Sequence, residues 1–279
     1  MTVENLIIGE PGKIQRDIGA SISTAEISLT VDMASQLSLT IFDPKFRMLN
    51  ANYFQIRMPV IYEGMNFEVA VVEAGPGEGP EMVTLECRAS SVQKMKRDKG
   101  QKTWGSISPS NFAQSIAQQF GMSFFGAPTP AKDEIVRVRN ENTDDSTWEV
   151  LTRLAGNSQY WVFESDNRLF FTSQKFLLGK FGNVSIPWPP TYKSTDLLVL
   201  DTPQCRRSED DPNGAECDLM LHWTDGKKLR PGMTFGLTGD GMKPFGIFYL
   251  ITEVTWSPGQ PEPVRVSART PEDPKLKVV

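Results

Sequence analysis

The sequence has one histidine, His222, and three cysteines, Cys87, Cys205 and Cys217, among its 279 residues. An odd number of widely spaced cysteines does not make a disulfide framework and favours a reducing compartment. A serine–histidine–aspartate triad would have to use His222, which lies in a predicted strand, and no glycine-flanked serine elbow accompanies it. We therefore expect no catalytic residues and no enzymatic activity.

Long apolar runs and an excess of basic residues are also missing. No stretch of about 18 apolar residues occurs, so we expect no membrane anchor. The N-terminus lacks the basic segment of a signal peptide, which predicts synthesis and assembly in the cytoplasm. The formal net charge is −5, which disfavours a generic nucleic-acid-binding protein.

Motifs for metal or phosphate binding are weak. Cys205, Cys217 and His222 could be zinc ligands, but the cysteines are not closely paired and a fourth ligand is lacking. The acidic run 209–214 fits the first half of an EF-hand loop, but Met220 occupies the position of the required glutamate. We expect no metal and no cofactor.

The composition is that of a folded protein rich in turns. Hydrophobic residues make up 39% and charged residues 23% of the chain, and the 22 glycines and 20 prolines favour short strands over long helices. A length of 279 residues corresponds to about two domains at ~150 residues each.

Residues 1–92 are predicted to form an N-terminal β domain. Apolar and polar residues alternate with a period of two, which is typical of half-buried antiparallel strands. The clearest alternating segments are 27–31, 37–41, 67–71 and 83–89. Residues 75–80, rich in glycine and proline, are predicted to form a hairpin loop.

Residues 93–190 are predicted to form an α+β middle module. It begins with a basic run, 94–102, which indicates a solvated loop. Ser108 and Pro109 suit the start of a first helix, and Ser146 and Glu149 have capping-box spacing at the start of a second. Trp148, Leu151, Leu154 and Ala155 form its apolar stripe, which we expect to be buried. Two alternating segments after it, 160–163 and 169–172, predict a β-hairpin.

Residues 191–270 return to the alternating pattern, and 271–279 are predicted to be an exposed tail. The fold class is therefore mainly β with an α+β insert. Two small β-barrel domains flank a helix-and-hairpin module, and we expect these two domains to share one topology.

Three stretches, in this order, resemble the baseplate hub (tail hub) proteins of tailed bacteriophages and of related contractile injection systems. The first is a strand that ends in Asp43-Pro44, the second contains the helix with Trp148, Leu151 and Leu154, and the third begins at Pro231-Gly232. These seven residues are the structural signature on which the resemblance rests.

The resemblance implies a homotrimer in which each chain contributes two similar barrels to a ring around a channel. Such a ring adapts a hexameric tail tube to a threefold spike or tip. The implied partners are the tail tube protein, distal tail or baseplate proteins, the spike or tip protein, and the tape measure protein and DNA passing through the channel. The implied location is the virion, at the tail tip or baseplate.

Two other functions stay open at the level of the sequence. One is a distal tail or receptor-binding adaptor, in which exposed Trp161, Trp188 or Trp223 would stack on sugars. The other is a cell-wall hydrolase domain, because two of the 34 acidic residues could converge in space, although nothing in the sequence selects a pair.

Overall fold

The computed structural model describes residues 6–10, 15–31, 33–75, 81–129, 135–137, 145–190, 197–209, 214–240, 245, 247–259 and 261–271. Parts of the predicted hairpin loop at 75–80, of the acidic run 209–214 and of the tail 271–279 lie outside these residues. Within them, no helix is long and apolar enough to cross a membrane.

The first β unit comes from the N-terminal third of the chain. Its strands are β1 (Leu6–Ile8), β2 (Arg16–Asp17), β3 (Ile22–Thr30), β4 (Gln36–Phe42), β5 (Pro59–Tyr62), β6 (Met65–Gly75) and β7 (Met82–Ala89). They lie side by side in the order β3-β4-β7-β6-β5-β1-β2. A short helix, α1 (Arg47–Asn50), lies between β4 and β5.

The middle module consists of helices and short strands. They are α2 (Ser90–Arg97), β8 (Lys102–Trp104), α3 (Pro109–Gln119), β9 (Ser123–Gly126), β10 (Ile135–Arg137), α4 (Thr147–Asn157), β11 (Trp161–Ser165), β12 (Arg168–Thr172) and α5 (Gln174–Lys180). β9, β12 and β11 form a three-stranded sheet, and β8 pairs with β10.

The second β unit follows the module. Its elements are β13 (Asn183–Pro187), β14 (Gln204–Arg206), β15 (Glu216–Leu221), α6 (Trp223–Gly226), β16 (Thr234–Thr238), β17 (Phe248–Trp256) and β18 (Val264–Arg269). The strands lie in the order β13-β16-β17-β18-β15-β14. β17 also pairs with β3, so both units belong to one continuous sheet.

The predicted helices and hairpin of the middle module are confirmed. The Ser108 hydroxyl accepts a hydrogen bond from the amide of Asn111, which caps α3. At α4, the Ser146 hydroxyl accepts from the Glu149 amide while the Glu149 carboxylate accepts from the Ser146 amide, 2.6 Å away. These bonds satisfy amides that a helix start leaves without partners.

Two local predictions were wrong. Much of the basic run that we expected to be a loop belongs to α2, because Val92 and Met95 on one face of that helix are buried in the module core. His222 is not in a strand: β15 ends at Leu221, and His222 precedes α6, where its Nδ1 lies 2.8 Å from the Thr224 hydroxyl.

The middle module is fastened to the sheet by a buried carboxylate and an apolar cluster. Glu164, in β11, accepts hydrogen bonds from the amide of Ser35, before β4, at 3.2 Å and from the amide of Asn167 at 2.8 Å. A small cluster of buried apolar side chains joins the two parts and consists of Val31, Phe163, Phe170, Leu177 and Leu250. The module therefore packs against both β units.

Candidate assembly surface

The two β units repeat one strand order. In the first unit the order is β1-β5-β6-β7-β4-β3, and in the second it is β13-β16-β17-β18-β15-β14. Taken along the chain, the strands of the two units correspond one to one. Every pairing in both units is antiparallel apart from one: β13–β16 is parallel, whereas the corresponding pair β1–β5 is antiparallel. Within the predicted ranges 1–92 and 191–270, the shared topology is confirmed for five strands of each unit, β3–β7 and β14–β18. β1 and β13 take the same place in the order but differ in direction.

A β-bulge marks the same strand in both units. In β6 the register with β7 shifts between Val69 and Val71, and in β17 the register with β18 shifts between Ile251 and Glu253. A bulge bends a strand and increases its twist. The corresponding strands β6 and β17 therefore bend at corresponding points.

The bulge divides β17 into two halves with different neighbours. The first half pairs with β16 from Phe248 to Leu250, and the second half pairs antiparallel with β3 of the other unit, from Glu253 opposite Thr30 to Trp256 opposite Ile27. This β3–β17 junction joins the two units into one sheet.

The sheet has one buried face and one polar face on both sides of the junction. Ile27, Leu29, Val254 and Trp256 are buried in the core. On the opposite face the Glu253 carboxylate accepts hydrogen bonds from the hydroxyls of Ser28, at 3.1 Å, and of Thr255, at 3.2 Å.

This polar face extends across both units. We define it by the outward side chains Glu26, Ser28, Ser38, Glu86, Arg88, Asp218, Glu253, Thr255, Arg265 and Ser267. Acidic and basic groups are interspersed: the Arg88 guanidinium is 3.9 Å from the Glu86 carboxylate, and Ser267 donates to Asp218 at 2.7 Å. The outward side chains of this face therefore carry charges of both signs.

Asp43 and Pro44 end β4 and begin a turn. Asp43 is 1% exposed, and its two carboxylate oxygens each accept an amide hydrogen bond at 2.9 Å, from Met48 and from Leu49. Pro44 starts a short 3₁₀ helix that leads into α1. A buried carboxylate satisfied in this way fixes the path of the chain after β4.

Leu151 and Leu154 are buried in the module core with Leu169 and Phe171 of the hairpin, while Trp148 is half-buried at its edge. The helix therefore packs on the hairpin mainly through its two leucines.

Pro231 and Gly232 lie where the second β unit meets the middle module. Gly232 has a φ of +88°, and its amide donates to the carbonyl of Ile251 at 2.9 Å. A Cβ atom at this position would lie 3.2 Å from Phe163 and 3.3 Å from Leu177. Conformation and close packing both favour glycine here.

Cys205 and Cys217 face each other across β14 and β15, with Sγ atoms 3.1 Å apart. The hydrogen bond with Cys217 lowers the pKa of Cys205, and the same bond together with burial raises the pKa of Cys217. His222 does not join them: among the residues that the structure describes, no three histidine, cysteine or acidic side chains are grouped for a metal ion.

The three tryptophans considered for sugar stacking differ in exposure. Trp223 is 37% exposed, whereas Trp161 and Trp188 are half-buried against the core. The Arg269 guanidinium lies 5.2 Å from the centre of the Trp161 ring.

The sequence pattern did not indicate the β3–β17 junction. Its partners are separated by 225 residues at Ser28 and Glu253, and alternation identifies a strand without identifying its neighbour. The register also depends on the bulge in β17, which a period-two pattern does not encode, so the sequence carried no signal for this pairing.

No protein-family model matches the sequence, and no curated protein matches it. Among solved structures, the chain is similar to a 43 kDa tail protein of prophage MuSo2 from Shewanella oneidensis, with a TM-score of 0.65, 10% identity and coverage of 96% of this chain and 97% of that one. A tail protein from Neisseria meningitidis MC58 matches with a TM-score of 0.62, 11% identity and coverage of 96% of both chains.

A third similar structure is an Escherichia coli component of the type VI secretion system, described as structurally similar to T4 bacteriophage tail proteins. Its TM-score is 0.63 at 11% identity, over 97% of this chain and 77% of that one. At such low identities the likeness concerns the fold. The chain has the fold of phage tail proteins, as the sequence resemblance implied.

Proposed function

We propose that this chain is a structural hub of a phage tail tip or baseplate. Three copies form a ring of six β units, which adapts a hexameric tail tube to a threefold spike or tip. The role is mechanical rather than enzymatic, and it places the protein in the virion after assembly in the host cytoplasm.

The observation that carries this proposal is the repeated strand order of the two β units. Two units of one topology in each chain let three chains present six similar surfaces to one partner and three identical surfaces to another. Closed rings of identical chains are a common form of assembly, since head-to-tail contacts close when the rotation between neighbours allows it.

The polar face supports a channel through such a ring. A protein binds DNA non-specifically in proportion to the phosphates it neutralises. The arginines of this face lie among acidic groups, as in the Arg88–Glu86 pair, so the face attracts DNA weakly. We propose that it lines the channel through which the tape measure protein and DNA pass.

The domain boundaries belong to the same proposal. Residues 1–92 and 191–270 supply the two ring-forming units, with β13 joining the second, and 93–190 supply the peripheral module. In this arrangement the tail tube protein, the spike or tip protein and the distal tail or baseplate proteins are the neighbours of the ring.

Electron microscopy of the purified chain, at high concentration and with added tail tube protein, tests this function. We expect ring-shaped particles with a central hole, and light scattering that gives three chains of 31.2 kDa per particle. Particles without a hole, or clearing of peptidoglycan that depends on one Asp or Glu, would contradict it.

A further inference from the structure

Two open edges of the sheet correspond to the two edges that form the β3–β17 junction. The junction uses the outer edge of β3 from the first unit and the second half of β17 from the second unit. The corresponding elements are β14 in the second unit and the second half of β6, Val71–Gly75, in the first. Among the described residues, β15 is the only strand beside β14, and no strand lies against Val71–Gly75 on the β5 side.

We propose that β14 of one copy adds antiparallel to the second half of β6 in the next copy. This inference rests on the three-copy ring proposed above and names the surface that closes it. The contact repeats between chains the junction that already exists within the chain. It is a head-to-tail contact, which produces a ring when the rotation closes.

The bulges align β6 with β17. The first residues after the register shift are Val71 in β6 and Glu253 in β17. Two residues further along each strand, Glu73 therefore corresponds to Thr255. Thr255 lies opposite Ser28 in the β3–β17 junction. Glu73 should therefore lie opposite the residue of β14 that corresponds to Ser28.

The ladders identify that residue as Arg206. A row of directly paired residues crosses each unit from the outer strand to the strand beside the bulge. The two rows are Ser28–Gln36–Arg88 in the first unit and Arg206–Glu216–Arg269 in the second. The residue just before the register shift pairs with Cys87 in the first unit and with Ala268 in the second. Arg88 and Arg269 follow these partners by one residue, so they correspond.

The chemistry of the two edges fits this register. It places the Glu73 carboxylate opposite the Arg206 guanidinium, and oppositely charged cross-strand pairs stabilise a sheet. Arg206 is exposed and already contacts Glu216 at 2.5 Å, so it can bridge two carboxylates. Val71 and Val72 are only half-buried, and a neighbouring strand would cover them. Covered edges also avoid uncontrolled strand pairing.

Disulfide trapping tests the register. In a Cys205→Ser background, Glu73→Cys with Arg206→Cys places two thiols opposite each other on neighbouring copies, within the reach of a disulfide. Asn66→Cys with Arg206→Cys is the matched control, because Asn66 is an exposed residue in the first half of β6, which pairs with β5. On oxidation of concentrated protein, we expect linked products of two and three chains from the first pair, several-fold more than from the control.

Equal trapping in the two double variants would overturn the proposed pairing. Light scattering of the wild-type chain separates this failure from failure of the ring. Three-chain particles without the specific cross-link would support the ring and refute the proposed register. Specific cross-links that extend into long polymers support the pairing and contradict the three-copy ring. Thermal unfolding of both double variants verifies that each remains folded.

Discussion

Single residues with unusual surroundings make the most direct tests of the structure. Cys205 is half-buried and its pKa is lowered by the hydrogen bond with Cys217, whereas burial raises the pKa of Cys87 to about 12. The thiolate is the reactive form of cysteine. We expect iodoacetamide to modify Cys205 first, with a rate that rises with pH through the lowered pKa.

Mass spectrometry of the alkylated native protein checks this order. Cys217→Ala removes the hydrogen bond, so it should slow the modification of Cys205 at a given pH. Faster modification of Cys87 than of Cys205 would contradict the structure.

Glu164 is the buried carboxylate that joins the middle module to the sheet. Glu164→Ala leaves the buried amide of Ser35 without its acceptor, and an unsatisfied buried group costs about 1–3 kcal/mol. We expect the free energy of unfolding to fall by this amount in urea titrations. Glu26→Ala, an exposed change on the polar face, should alter it by less than about 0.5 kcal/mol.

The stability difference at Glu164 should depend on pH. Desolvation raises the pKa of this carboxyl in the folded chain, so the folded state holds the proton more tightly than the unfolded state. The stability that the Glu164 carboxyl contributes is fully present below its pKa in the unfolded chain. This contribution is lost as the pH rises through its pKa in the folded chain. The advantage of wild type over Glu164→Ala should therefore shrink with rising pH, and an advantage that grows would refute this assignment.

At the scale of elements, the packing of α4 on the hairpin differs from the sequence expectation in one respect. Leu151 is fully buried, whereas Trp148 lies half-buried at the edge of the cluster. Truncation of a buried leucine to alanine costs about 2–5 kcal/mol, because a cavity remains. We expect Leu151→Ala to destabilise the chain more than Trp148→Ala in thermal or urea unfolding, and the reverse order would show that the stripe is rotated.

The turn at Gly232 gives a second test at this scale. A left-handed φ imposed on a non-glycine residue costs about 1–3 kcal/mol, and at this position the new Cβ would also approach Phe163 and Leu177. Gly232→Ala should lower the free energy of unfolding by at least that range. Gly236→Ala in β16 is the matched control, since its Cβ would meet Phe248 at an ordinary 3.4 Å. Equal effects of the two changes would contradict the conformation at Gly232.

Elements with strong local signals were the ones that the sequence could predict. α3 and α4 have capping side chains and apolar stripes, and both were predicted. α2 was missed because lysines and arginine dominate its surface and it has only two apolar residues, Val92 and Met95. The parallel pairing of β9 with β12 was missed because the two strands are separated by α4 and β11. Such elements form because they are buried against partners that are distant in the sequence. A local sequence pattern carries no information about those partners.

At the scale of the whole molecule, the shared topology of the two β units could be predicted from alternating strands and from the family resemblance. The junction could not, because the register of β3 on β17 depends on where the bulge bends the strand. The seven signature residues lie at a turn, in a helix core and at the boundary of the module. None of them is among the pairs of the β3–β17 junction, so the signature describes folding more than assembly.

The proposed channel makes a prediction about charge. Glu26→Lys with Glu86→Lys would place positive charge on the polar face, where added cations strengthen the attraction for DNA phosphates. We expect slower DNA ejection from assembled particles at low salt, with recovery as the salt concentration rises. Glu63→Lys, in the turn between β5 and β6, is the control and should leave ejection unchanged. An equal effect from Glu63→Lys would argue against the channel.

The number of copies at the end of the tail tests the central claim most directly. Cryo-electron microscopy of assembled tails, at a resolution that separates β units, counts both the chains and the units around the axis. The account predicts three chains, arranged so that six β units surround one channel and β14 of each chain lies against β6 of the next. Six chains around the axis, or a single chain on it, would contradict the account.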